Sequence, residues 1–339
     1  HRDLHSFPTR RSSDLADCFA GEGNLILPIL NHIPQRERIN FFQDHIFLCD
    51  IQQIWVDQCI SNAKAYGIPE NIAKKNIFLH DSLQEHPLNT KFKEILKYPL
   101  IHITNPPYLY LGYIVKHKET QKYLLLFEGN NRGYQDLYQI ALMNDLRQGL
   151  QEMLYIIPAN FLFGASVSNK FRDDFLPHYS IQNATIFEQR MFEHTGTNVI
   201  IAHFYRKQKP DSEPITFEGQ KIGKGTTSRT YRLDPKTHYK AGDGFIQFVE
   251  KNKARNPLKL HYYLLQKDLD GHPGKTPITV IDSNDFKNAR YTQRTVTVND
   301  KFAAYVKSNI LWVRTVDTGS ADGRRSEEHT SELQSPNTI

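Results

Sequence analysis

The stretch Leu100-Ile101-His102-Ile103-Thr104-Asn105-Pro106-Pro107-Tyr108 carries a short, largely apolar run into a polar residue and two prolines. The same pattern recurs along the chain. Ile46-Phe47-Leu48-Cys49 runs to Asp50, Ile77-Phe78-Leu79-His80 to Asp81, and Met153-Leu154-Tyr155-Ile156-Ile157 to Pro158. Helical spacing fills the gaps, at Trp55 to Ala65 and Tyr134 to Leu150. Continuous apolar strands that alternate with helices predict a parallel sheet covered on both faces. Ala184–Phe187 and Val199–Tyr205, with only Glu188–Asn198 between them, read as an antiparallel pair closing that sheet. The expected class is therefore α/β, doubly wound. Ligands of such sheets sit at the carboxyl ends of the strands, where Asp50, Asp81 and Asn105 fall.

The composition narrows what this fold can serve. With 339 residues, 39% hydrophobic and 23% charged, the chain can build a substantial core. It has no run of about 18 uncharged apolar residues, so no membrane helix is expected. Three cysteines without a CxxC pair exclude a disulfide scaffold and a zinc knuckle, and they suit a reducing cytoplasm. No metal site is expected. Charge is unevenly spread. Ala16 to Arg206 holds 17 Lys/Arg and 19 Asp/Glu, a balance of −2, whereas Lys207 to Arg324 holds 21 and 13, a balance of +8. The shift falls at the linker-like Lys207-Gln208-Lys209-Pro210-Asp211-Ser212. A basic second domain suits a polyanion.

The two ends read as translated sequencing adapter. Arg11-Ser12-Ser13-Asp14-Leu15 is encodable by CGC TCT TCC GAT CT, whose reverse complement opens on codons for Arg-Ser-Glu-Glu. Those are Arg325-Ser326-Glu327-Glu328. Residues 1–15 and 325–339 are accordingly expected to be non-native. The strand that should precede Asp17 is then expected to be missing.

Two motifs carry chemistry. Asp17-Cys18-Phe19-Ala20-Gly21-Glu22-Gly23-Asn24 places two glycines where a backbone can turn sharply and approach a ligand. An acid at the end of the second strand, Asp50, suits ribose hydroxyls. Asp81, at the end of the third, suits an adenine amino group. In Asn105-Pro106-Pro107-Tyr108 the prolines fix the backbone and remove two N–H donors. The Pro106 carbonyl and the Asn105 side-chain oxygen can then accept from one NH2 group. Both acceptors favour a pyramidal nitrogen whose lone pair is available for attack. Tyr108 offers a flat face on which a base can stack.

These motifs resemble those of class I S-adenosylmethionine-dependent methyltransferases with a Rossmann-like sheet. Their order, with a basic region after NPPY, resembles the gamma class of adenine-N6 DNA methyltransferases. The resemblance covers Ala16 to about Lys207. It implies S-adenosylmethionine as cofactor, bound by Asp17, Phe19, Ala20, Gly21, Gly23, Asp50 and Asp81. Cys18 stands where Pro or Ala is commoner. It implies catalysis by Asn105, Pro106, Pro107 and Tyr108. Tyr155 to Leu162 resembles the strand and loop that follow catalysis in that class. Ile186 to Lys207 resembles its closing hairpin, in which Phe192 would sandwich the flipped base against Tyr108. The implied domains are a catalytic one over 16–206 and a partial target recognition domain over 207–324. The latter interleaves aromatics and cations at Arg229-Thr230-Tyr231-Arg232, His261-Tyr262-Tyr263 and Arg290-Tyr291-Thr292-Gln293-Arg294. Asp243-Gly244, Asp270-Gly271 and Pro273-Gly274 suggest turns there, and Asn309–Val313 a strand. The implied partners are double-stranded DNA and the cognate restriction endonuclease of a restriction–modification system. An RNA methyltransferase, a protein-glutamine methyltransferase and a catalytically dead nucleic-acid-binding module are the competing readings. The long basic extension disfavours the second, and intact Asn105, Pro106 and Tyr108 disfavour the third.

Overall fold

A computed structural model describes residues 13–164, 166–188, 191, 198–255, 266–287, 290–308 and 337–338. The chain divides into two compact units, the first running to Asp243 and the second starting at Gly244.

The first unit is built on nine strands: β1 (Asp14–Asp17), β2 (Ile46–Asp50), β3 (Ile77–Leu79), β4 (Leu100–Thr104), β5 (Glu152–Pro158), β6 (Tyr179–Phe187), β7 (Val199–Arg206), β8 (Ile215–Ile222) and β9 (Thr226–Leu233). They form one sheet in the order β3-β2-β1-β4-β5-β7-β6-β8-β9. The first five positions are parallel; β7 lies antiparallel between β5 and β6. This is the doubly wound class I methyltransferase sheet with its reversed strand, as the sequence predicts. Helices α1 (Arg38–His45), α2 (Gln53–Ala65), α3 (Glu70–Asn76), α4 (Lys91–Ile95), α5 (Leu111–Lys116), α6 (Leu137–Gln148), α7 (Asn160–Phe163) and α8 (Ser166–Phe175) connect the strands.

Alternate strand residues feed opposite cores. Phe47 and Phe78 meet Phe92 of α4 and share a core with Cys49 and the inward face of α6, whereas Ile46, Leu48 and Ile77 share a second core with α1, α2 and α3. Both faces are therefore apolar, as a sheet covered on two sides requires. Helix α6 is delimited by its ends. Asp136 caps it by accepting from the Tyr138 N–H, and Gly149 leaves it at φ 75°.

Two expectations from the sequence are corrected. The first strand is present rather than missing. Asp14 to Asp17 hydrogen-bond to β2 on one side and β4 on the other. The Asp14 carboxylate is wholly buried but satisfied, meeting His45 Nδ1 at 2.9 Å and accepting from the N–H groups of Lys97 and Tyr98. The sheet also does not close with β6 and β7, nor does the unit end near Lys207. β8 adds in parallel to β6, and β9 pairs antiparallel with β8. The alternation of buried Ile215, Phe217, Tyr231 and Leu233 with exposed neighbours carries the core past the linker-like stretch. Residues 207–243 hold eight Lys/Arg and five Asp/Glu, so +3 of the +8 assigned to a second domain belongs to the first unit.

The second unit contains α9 (Asp243–Lys251), α10 (Gln266–Asp270), β10 (Pro273–Lys287), β11 (Arg290–Val298), α11 (Asp300–Ser308) and the short β12 (Asn337–Thr338) on β10. β10 and β11 form an antiparallel hairpin over a small core of Leu269, Ile278, Val280, Val298, Phe302, Ala303 and Val306. Asp243-Gly244 opens a helix there instead of a turn. Arg290–Arg294 lies on β11. His261–Tyr263 and Asn309–Val313 lie outside the described residues.

Candidate active site

The parallel strands point their carboxyl ends to one edge. The chain winds outward from β1 to β3 and then returns to β4, so the edge between β1 and β4 is the switch point where such sheets bind ligands. The glycine loop leaves β1 on one side of it, and Asn105-Pro106-Pro107-Tyr108 leaves β4 on the other.

The loop is held by backbone. Ala20 N–H donates to the Cys49 carbonyl, and Gly21 N–H donates to Asp50 Oδ2 at 3.0 Å. Asp50 Oδ1 accepts from Gln52 N–H at 2.9 Å. Each glycine has its own reason. Gly21 has φ +51° with nothing within 4 Å of where a Cβ would stand, so a ligand can approach its backbone. Gly23 has φ +82°, and a Cβ there would meet Leu27 Cδ1 at 2.6 Å and Cys59 Sγ at 2.7 Å. In the same loop Phe19 is half-buried against the core that contains Phe47 and Cys49. Asp17 lies beneath it, 1% exposed, accepting from Phe19 N–H and from the Thr104 hydroxyl. Burial pushes its carboxyl up to about 6, against the lowering effect of those bonds. It ties the β1 loop to β4 rather than facing the crevice. Asp81 is half-buried and uses Oδ1 to accept from Leu83 and Gln84 N–H at 3.2 Å each. His80 N–H donates to the Asp50 carbonyl, which draws the β2 and β3 ends together.

Asn105 Oδ1 accepts from the Tyr108 hydroxyl, which also lies 2.7 Å from the Ile156 carbonyl. One hydroxyl proton serves only one of these acceptors at a time. Burial pushes the Tyr108 hydroxyl far above its ordinary pKa, so it stays a donor. The Tyr108 ring meets Tyr138 edge-on at 6.5 Å, and Tyr138 donates to Asn160 Oδ1 at 2.9 Å. Asp136 Oδ1 accepts from Leu109 N–H at 3.0 Å while capping α6, so it pins the chain just after Tyr108. Burial pushes its carboxyl up to about 7. Phe192 lies outside the described residues.

Beneath both motifs runs a buried polar chain. Cys18 N–H donates to His102 Nε2 at 3.2 Å, so the His102 ring proton sits on Nδ1, 2.6 Å from Asp145 Oδ2. Asp145 also meets His86 Nε2 at 2.8 Å and accepts from the Tyr155 hydroxyl at 2.6 Å. Despite burial, His102 and His86 hold its carboxyl below the usual range. Asp136, Tyr138, Asp145 and His102 are not singled out by the sequence. Only Asp136 leaves a local signal, as a cap before an apolar run.

The chain matches no protein-family model and no curated protein by sequence. Solved structures similar to it include DrdV in a DNA complex, the type IIG restriction endonuclease BpuSI and the M protein of the type I restriction enzyme EcoKI. DrdV gives a TM-score of 0.49 at 12% identity over 80% of this chain. BpuSI gives 0.47 at 13% over 81%, and the EcoKI protein 0.44 at 13% over 94%. The chain spans 32%, 34% and 65% of those proteins, respectively. Likeness of this size carries no chemistry across, and the fold assignment stands on the strand order itself. No helix among the described residues is long and apolar enough to cross a membrane.

Proposed function

We infer that the first unit transfers a methyl group from S-adenosylmethionine to N6 of an adenine in duplex DNA, as the modification component of a restriction–modification system. One observation carries this reading: the glycine loop with Asp50 and the Asn105–Tyr108 turn flank a single switch point at one sheet edge. The loop fits the cofactor. Gly21 offers open backbone, Gly23 tolerates no Cβ, and Asp50 retains lone pairs beyond its two N–H bonds for ribose hydroxyls. Asp81 keeps Oδ2 for an adenine amine, and Phe19 and Ala20 line the turn. Asp17 acts from below by fixing the loop against Thr104. When bound, S-adenosylmethionine supplies an electrophilic methyl on a sulfonium that leaves as a neutral thioether.

The chain's own part is to hold the acceptor. An adenine must leave the stack for its N6 to be reached, at a cost of a few kcal/mol. Tyr108, with Phe192 as its counterpart, grips the extruded ring. With the Tyr108 proton turned to the Ile156 carbonyl, Asn105 Oδ1 and the Pro106 carbonyl both accept from N6, and Pro107 keeps the turn rigid. Positioning and electrostatics then carry the rate, and no enzyme nucleophile is needed. The buried Cys18, Cys49 and Cys59 have no role in such a step. Labelled methyl transfer to duplex DNA, compared with RNA and with protein, tests the reading. DNA is the expected acceptor, and transfer to RNA or glutamine alone would replace it.

A further inference from the structure

We propose that the β8–β9 hairpin is a phosphate-contacting surface for duplex DNA on the catalytic edge of the sheet. The proposal rests on the DNA methyltransferase reading above. β6 is related to β5 by two antiparallel steps, and β8 runs parallel to β6. Ile222, the carboxyl end of β8, therefore projects from the same edge as Thr104 and Pro158. Strands about 4.8 Å apart put β8 four intervals, or about 19 Å, from β4. At about 3.4 Å per base pair that is under six base pairs, so a duplex delivering a base to Asn105–Tyr108 lies within reach of the hairpin.

The chemistry of the hairpin suits phosphate. Ile215 to Leu233 holds four cations, Lys221, Lys224, Arg229 and Arg232, against one acid, Glu218. Lys221 pairs with Glu188, and Arg232 pairs with Asp234 at 2.8 Å. Lys224 and Arg229 are exposed, and among the described residues no carboxylate pairs with either. Around them, Gly225, Thr226, Thr227 and Ser228 are exposed, whereas the Thr230 hydroxyl is taken up by donating to Glu218. Short hydroxyls, cations and glycine backbone are the groups that contact phosphate without reading sequence. The Arg229 guanidinium lies 5.3 Å above the Tyr231 ring, and Tyr231 stacks on Phe217 at 5.4 Å and meets Phe163 of α7 edge-on. A Cβ on Gly219 would stand 2.6 Å from the Tyr231 ring, so the ring is closely seated. α7 follows Pro158 directly, which fixes the hairpin to the catalytic loops.

The test is the salt dependence of binding of a fluorescein-labelled duplex of arbitrary sequence to the full chain, read by anisotropy. Lys224→Ala with Arg229→Ala should lower the slope of log affinity against log salt by about 1.8, as two lost phosphate contacts require. The exchange Lys224→Arg with Arg229→Lys should keep the slope. Lys74→Ala with Lys75→Ala, an equal charge loss on α3, should leave it unchanged. A wild-type slope in the hairpin variant, or an equal drop in the α3 variant, would overturn the hairpin's role while leaving the DNA reading intact. Wild-type protein that binds no duplex DNA, or binds the matching RNA duplex more tightly, would overturn that reading and this proposal together.

Discussion

The two sides of the switch point are built differently. On the β1 side a single loop of contiguous residues is held by its own N–H groups, two positive-φ glycines and one carboxylate from the next strand. On the β4 side, the surroundings of Tyr108 draw on groups scattered along the chain: the side chains of Asn105, Asp136 and Tyr138, the Ile156 carbonyl, and Asn160, which accepts from Tyr138. The first kind of site tolerates change poorly at the glycines. The second spreads its support, so its supporting residues should be individually milder than the one that meets the reacting atom.

That difference sets the order of expected effects. Asn105→Ala should cost most, about 10³-fold in methyl transfer, because it removes an acceptor aimed at the reacting nitrogen. Affinity for S-adenosylhomocysteine by calorimetry should stay near wild type, since Asn105 lies across the switch point from the glycine loop. Gly23→Ala should come next, through the other side. A Cβ at φ +82° against Leu27 and Cys59 costs roughly 1–3 kcal/mol of strain. It should lower both the melting temperature and S-adenosylhomocysteine affinity, the latter by about tenfold. Equal affinity in this variant would mean that the loop does not shape the cofactor site.

Much of this architecture is legible in the sequence. β2, β3, β4 and β5 fall where apolar runs meet Asp50, Asp81, Asn105 and Pro158, because period and turn residues are local signals. β1 is missed because Ser13-Asp14-Leu15 reads as foreign, and four residues are too few to show a period. β8 and β9 are missed because the charge shift at Lys207 resembles a domain boundary, whereas their inward faces carry only Ile215, Phe217, Tyr231 and Leu233. Asp136, Tyr138 and the His102–Asp145 chain are illegible for another reason. Their partners across the site lie 22 to 84 residues away, and no local pattern records such distances.

The Asp136 support has a pH signature. Its carboxyl stands near 7 in the folded chain against 3.8 in the unfolded one. The folded state therefore holds more protons between about pH 4 and 7, and stability falls as pH rises through that window. Asp136→Asn keeps an acceptor for Leu109 N–H but does not titrate. Thermal melts should show the wild type losing stability relative to this variant from about pH 4 to 7, and a constant difference above it. A flat difference throughout would mean that Asp136 titrates as an ordinary carboxylate. The smallest effect belongs to Tyr108→Phe. It removes one hydrogen bond worth about 1 kcal/mol but keeps the stacking ring, so transfer should fall only about fivefold. A loss as large as that of Asn105→Ala would make the hydroxyl, not the ring, the working part.

The Asn105–Tyr108 turn is proposed to select N6 of adenine as the methyl acceptor. Duplex DNA incubated with the protein and isotopically labelled S-adenosylmethionine, then digested to nucleosides for mass spectrometry, reads this directly. The labelled product should be N6-methyladenine, and it should disappear with Asn105→Ala. Label on cytosine C5, or undiminished N6-methyladenine from the Asn105 variant, would contradict the account.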